Sequence, residues 1–237
     1  MTNAVLLNNV DHHDLRVIAR HGPEFGDSVN QVLVFPTEFE SVQREYPIFL
    51  HKDGDGHYQP VALLGLDRDE NLFLDGKGWQ ARYIPAAQRR GPFLIGKPAD
   101  GEPMIHVDLD HVRISRSEGA PLFLPHGGNS PHLEQIAAVL RLIHDGLAIM
   151  PAMFAALGQA GVIEPVAVEI QLNDAARYTL PGLHAVSEER LATLDGEALA
   201  GLHRGGFLRL AFLAAASLAN VHRLIELKNR KQAGGPR

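Results

Sequence analysis

Short apolar runs broken by turn residues dominate the first half of the chain. Val29–Phe35 is β-branched and short and reads as a buried strand. Pro36 followed by Thr37, Glu38 and Glu40 marks a helix start, and the pattern predicts a helix over residues 37–46 that Pro47 ends. Ile48–Leu50 and Pro60–Leu66 read as strands flanking a turn at Lys52–Gly56, where two Asp-Gly pairs favour a hairpin. Asn71–Leu74 and Gln80–Ile84 predict a second hairpin around Asp75–Gly78, so Pro60–Phe93 reads as a β-meander. Strands at Pro92–Ile95 and Pro103–Leu109 follow, separated by a Pro- and Gly-rich stretch.

The period then changes to that of helices. Gly119–Ser130 is a loop, Ser130 is a good N-cap and Pro131 sits at the first helical position. Leu133, Ile136, Leu140, Ile143 and Leu147 recur on one helical face, and Pro151 is expected to kink or end that helix before a second piece at Ala152–Gly158. Val166–Leu172 reads as a strand. Ser187 and Asp195 cap two further helical segments, Gly205-Gly206 breaks the second, and a last helix is expected over Phe207–Lys228, apolar on all sides in its middle and therefore buried. The whole predicts an α+β protein: a strand-rich antiparallel first half (residues 1–115) packed on helices of the second half (residues 130–230), in a single compact unit, with 231–237 as a flexible tail.

A hydrophobic content of 45% with 21% charged residues is that of a globular chain. The net charge of −6 disfavours a nucleic-acid binder. The basic segment Arg223–Arg237 reads as a solvated helix end. The chain has no cysteine, which excludes disulfides and thiolate chemistry. The first residues carry no basic region and only a four-residue apolar run, Ala4–Leu7, so a cytoplasmic location is expected. The longest apolar stretch, Leu210–Ala219, is short of the roughly 20 residues a bilayer requires, so no membrane span is expected. Burial of the last helix could be within one chain or between copies, which leaves a homo-oligomer open.

Thirteen histidines make metal binding a question. His12 and His13, between Asp11 and Asp14, read as an exposed turn. On a strand at Pro103–Leu109, His106, Asp108 and Asp110 share one face. A His-x-Asp pair on a strand is the start of a facial-triad iron site, with His184 as a distant ligand and Arg177 or Arg190 for an oxo-acid. Solvated strand residues show the same alternation. Asp53-Gly-Asp55-Gly-His57 is better read as a hairpin turn than as a calcium loop, because loop position 12 would be Leu64. Gly127, Gly128 and Ser130 lead into a helix start and could bind an anion through backbone N–H groups. No Gly-x-Ser-x-Gly elbow accompanies them. Trp79, Arg82, Tyr83, Arg89 and Arg90 combine the residue types favoured at recognition surfaces, and their alternative role is to cover and fill the core.

Several segments, in order, carry a resemblance to a known family: Glu38-Phe39 with Tyr46-Pro47-Ile48-Phe49; Ala62–Leu66; Glu70–Phe73; Gly78-Trp79 with Tyr83-Ile84-Pro85-Ala86; Arg89-Arg90 before Pro92-Phe93; Gly119 to Leu122-Phe123; and Ser217-Leu218 with Asn220 and Leu224. In this the chain resembles the SapC family of bacterial proteins over most of its length. The resemblance implies a link with surface-layer protein export. It also implies a neighbourhood of TonB-dependent receptors, flavin-dependent tryptophan-halogenase-like proteins and cupin-like hydroxylases. The frequent label of peptide transporter permease fits poorly with the absence of an expected span. The family supplies no catalytic residues. The expectation is therefore a soluble accessory protein that binds a protein or peptide partner and needs no cofactor. The alternative is a metal-dependent enzyme, iron oxygenase-like or hydrolytic, using a divalent metal at His106 and Asp108.

Overall fold

The computed structural model describes residues 3–96, 103–173 and 176–234. In chain order the elements are β1 (Ala4–Leu6), β2 (Arg16–Val17), β3 (Gln31–Leu33), α1 (Phe39–Val42), β4 (Ile48–Lys52), β5 (Tyr58–Leu63), β6 (Leu74–Asp75), β7 (Gly78–Trp79), α2 (Ala86–Arg89), β8 (Phe93–Gly96), β9 (Met104–Asp108), β10 (Ile114–Ser115), β11 (Ala120–Pro121), α3 (Pro131–Gln159), β12 (Ile163–Gln171), β13 (Arg177–Val186), α4 (Glu188–Ala192), α5 (Gly196–Arg204), α6 (Phe207–Ser217) and α7 (Val221–Ala233). Short 3-10 turns at Pro36–Glu38 and Leu218–Asn220 lead into α1 and join α6 to α7.

The strands form antiparallel sheets. A five-stranded sheet has the order β12-β13-β4-β5-β3, and two three-stranded sheets have the orders β1-β9-β8 and β10-β2-β11. The architecture is α+β in one compact unit, as the sequence predicts, with one refinement. β12 and β13, from the second half, extend the sheet that β4, β5 and β3 begin, so the two halves share a sheet as well as a helical layer.

α3 is the spine of the molecule. Its first turns place Leu133, Ile136 and Leu140 against Phe93, Val107 and Leu122 in one core. Its last turns place Met153, Phe154 and Leu157 in the main core, against the five-stranded sheet and the Ala211, Ala214 and Ala215 face of α6. Val139 and Ile143 bridge the two through Phe35 and Ala86. Each such side chain contributes about 1.5–3 kcal/mol by leaving water. α3 passes very close to the 3-10 turn at Pro36–Glu38: a Cβ on Gly146 would lie 2.6 Å from Phe35 Cβ. The C-terminal helix is fixed by charge. Buried Lys228 donates to Glu70 at 2.8 Å and to Asp67, and Lys231 reaches Glu70 at 2.9 Å. Lys228 is a buried structural tie, and Lys231, 59% exposed, joins it from the solvent side.

Several sequence expectations are corrected. The helix expected over residues 37–46 is only the 3-10 turn and α1. Gln80–Ile84 is not a strand, and between β7 and β8 the chain is a loop followed by α2, because its bonds go to Glu38, Tyr46 and Glu45 rather than to a ladder. α3 runs unbroken through Pro151. The carbonyl that Pro151 leaves without a donor belongs to Leu147, which is exposed on the solvent side of the helix. β13 has no expected counterpart. Pro181 and Gly182 interrupt its pattern but form the bulge opposite Val166–Val168, with Gly182 at φ +75°. Phe212 is 45% exposed, so α6 is not covered on all sides. α7 extends to Ala233, which places residues 231–233 in a helix; residues 235–237 lie outside the described residues. His12 is buried and its Nδ1 accepts from Asn8 N at 3.1 Å. The length argument against a span is also revised. Pro131–Gln159 (29 residues) and Phe207–Ala233 (27 residues) are long and apolar enough to cross a bilayer by length and composition, although both bury one face in the cores described above.

Candidate functional site

Two buried carboxylates hold the Trp79–Phe93 segment and its surroundings in place. Glu38, 2% exposed, accepts from Phe35 N (3.1 Å) through Oε1 and from Tyr83 Oη (2.7 Å) and Ala86 N (2.9 Å) through Oε2. Burial pushes its pKa up, a shift only partly offset by those donors and by the charge of Arg89. Behind it, buried Tyr46 donates to the Tyr83 carbonyl (2.5 Å) and accepts from Trp79 Nε1 (2.8 Å). Burial raises the pKa values of both phenols, which keeps each a neutral donor.

Asp27, 1% exposed, is the second anchor. Its Oδ2 bonds Arg113 (2.7 Å), His21 Nδ1 (3.1 Å) and Gly22 N (2.9 Å). Burial raises its pKa, but the bonds from His21 and Gly22 and the charge of Arg113 outweigh burial and hold it below the usual carboxylate value. His21 also meets the Trp79 ring edge-on at 5.6 Å.

Between these anchors lies a cleft of about 510 Å³. One wall carries Arg82, Tyr83 and Arg89, and the other carries His132 and Gln135 from the start of α3, with Ile136 and Val139 as an apolar floor. Arg89 lies over the Tyr83 ring at 5.6 Å. At its inner end a small cavity of about 50 Å³ shares His21, Arg89, His132 and Ile136 with the cleft and adds Arg90, Phe93 and Arg113. Arg113 is neutralised by Asp27. Arg82, Arg89 and Arg90 form no salt bridge among the described residues. Burial alone lowers the Arg90 pKa. Burial likewise lowers that of His132, whose Nε2 is buried with no hydrogen-bond partner among the described residues.

Of the residues singled out from sequence, the structure brings Tyr83, Arg82 and Arg89 to one wall, and Arg90 to the inner cavity. Trp79 lies outside the cleft, lining a separate depression with Arg44, Glu45 and Arg223, and serves the cleft through its bonds to Tyr46 and its contact with His21. Gly127 and Gly128 form an exposed turn at φ +85° and +88°, closed by Leu124 N to Gly128 O at 3.0 Å. Ser130 is occupied as the N-cap, its Oγ accepting from Leu133 N at 3.2 Å.

His106 and Asp108 lie on the central strand of the β1-β9-β8 sheet. His106 Nδ1 is 3.3 Å from Met104 O, and Asp108 Oδ1 accepts from Asn3 N (3.0 Å) and Asp110 N (3.2 Å). His184 belongs to the five-stranded sheet instead. Among the described residues, the metal-type group the structure gathers is Asp53, Asp55 and His57, which does not include His106 or Asp108. There Asp53 accepts from the backbone of Asp55 and His57 and from Gln59, closing the hairpin turn. The sequence reading missed His21, Asp27, Arg113, His132 and Gln135, because each takes its place through contacts between distant segments, as in the Asp27–Arg113 pair.

Fold and site together define an α+β protein with a cationic cleft where the loop before α2, and α2 itself, face the start of α3. The SapC family model matches residues 7–224, and the chain belongs to the SapC family. No curated protein and no solved structure matches it.

Proposed function

We propose that this protein is an accessory component of a surface-layer export or TonB-linked outer-membrane uptake system, and that its cleft docks an acidic segment of a protein or peptide partner. The observation that carries the reading is the Arg82, Tyr83 and Arg89 wall facing His132 and Gln135. Among the described residues Arg82 and Arg89 form no salt bridge, both side chains are exposed, and Arg pairs bidentately with carboxylates. The bonds from Tyr83 and Ala86 to Glu38 and from Tyr46 to the Tyr83 carbonyl hold that wall in place before a partner arrives, which lowers the ordering cost of binding.

The test is a photo-crosslinking residue at Gln135, on the cleft rim, compared with one at Ala155, exposed on the last turns of α3. The reading predicts a discrete protein adduct from position 135 that is absent from position 155 and lost when Arg82 and Arg89 are both changed to Ala. An adduct that survives the double change in a folded protein contradicts it.

A further inference from the structure

The inner cavity differs from the cleft in front of it. It is small, about 50 Å³, and mostly apolar in lining, with Phe93 fully buried beside it. That volume accommodates a group of a few heavy atoms and no side chain of any size. Yet Arg90 reaches it, half-buried, with Phe93 O at 2.9 Å as the one hydrogen-bond acceptor of its guanidinium among the described residues. His132 lines the same cavity with its Nε2 buried and, among the described residues, unpartnered. Buried Asp27, which bonds two of the lining residues, is already shared among Arg113, His21 and Gly22. Unpaired buried donors are costly, and buried guanidiniums are normally matched by an anion.

We propose that this cavity is a carboxylate pocket, in which Arg90, Arg89 and His132 grip one carboxylate group while the rest of the ligand lies outward in the cleft over Ile136 and Val139. The planar carboxylate fits the guanidinium fork, and a space of about 50 Å³ suits three heavy atoms better than a tetrahedral phosphate dianion. The carboxylate can come from a peptide C-terminus or from a small free acid. The pocket deepens the partner-docking reading by naming what enters first, and it rests on the same cleft.

Trp79 is the sole tryptophan and touches His21, which lines both spaces, so its fluorescence reports on the site. The experiment titrates the full-length protein with propionate, with the tripeptide Ala-Ala-Leu as free acid and as C-terminal amide, and with inorganic phosphate at matched ionic strength. Fluorescence is read beside isothermal titration calorimetry. The pocket predicts saturable binding of the free-acid tripeptide at least about tenfold tighter than of the amide. Arg90→Gln and, separately, His132→Ala weaken that binding. His132→Ala removes no hydrogen bond of Nε2 among the described residues, and a thermal melt of each variant separates lost binding from lost folding. Equal affinity for propionate and the tripeptide assigns the pocket to small acids, and tighter tripeptide binding assigns it to peptide termini. Tighter binding of phosphate than of any carboxylate, no saturable heat or fluorescence change, or binding unchanged in both variants overturns the proposal. If the Gln135 crosslink depends on Arg82 and Arg89 while no carboxylate binds, the docking reading stands and the pocket falls. If carboxylates bind and no adduct forms, the reverse holds.

Discussion

The Tyr83 hydroxyl donates to the buried Glu38 carboxylate at 2.7 Å, so a residue that lines the cleft is held from behind by an acid with almost no contact with water. Tyr83→Phe removes that donor and leaves Glu38 with two backbone N–H partners. It is expected to lower stability by about 1–3 kcal/mol, measured by chemical denaturation.

Glu38 also sets a pH dependence. Its folded pKa lies above its unfolded one, so its contribution to stability is present below the ordinary carboxylate range and is lost as pH rises through the raised value. Glu38→Gln does not titrate. The stability of the Gln variant relative to the native protein should therefore improve as pH rises from the ordinary carboxylate range through the raised value. A constant difference over that range contradicts the burial-driven shift.

Asp27 behaves in the opposite sense. Its folded pKa lies below its unfolded one, so the stability it adds is present above the ordinary carboxylate range and is lost as pH falls through the lowered value. Asp27→Ala leaves Arg113, 4% exposed, without its carboxylate. The expected loss is about 3–5 kcal/mol, together with a changed Trp79 emission because His21 is released.

Gly146 marks where α3 presses on the turn that carries Glu38. Ala at this position gains up to about 1 kcal/mol of helix propensity but meets Phe35 Cβ at 2.6 Å and Thr37 Oγ1 at 2.8 Å. Overpacking of that kind costs about 1–3 kcal/mol, and thermal melting should show a net loss.

Much of this architecture is legible in the residues themselves. Ser130, Ser187 and Asp195 cap the helices they were expected to start, and the apolar spacing from Leu133 to Ile143 is the face that α3 buries. The family resemblance, carried by segments from Glu38 to Leu224, agrees with the family match. What the residues hide are features made by distant pairing. β13 reads as irregular because Pro181 and Gly182 fall in a bulge, visible only once Val166 and Leu183 are seen to pair. The basic wall is half legible: Arg82, Tyr83, Arg89 and Arg90 announce themselves by type, whereas His132 looks like any polar residue in a first helical turn. Asp27 and Arg113 have no common motif, and only the fold shows that they neutralise each other.

Metal content separates the docking reading from its enzymatic alternative. Elemental analysis of protein purified without chelator should find no stoichiometric iron, zinc or manganese. One equivalent of metal, lost in His106→Ala, would move the function to β9.

The affinity of the partner captured through Gln135, titrated against the native protein and against Arg82→Ala/Arg89→Ala over a series of salt concentrations, tests the central claim most directly. The account predicts at least about tenfold weaker binding, about 1.4 kcal/mol, and a flatter salt dependence for the double variant. Equal affinity and equal salt dependence, with the variant still folded, would contradict it.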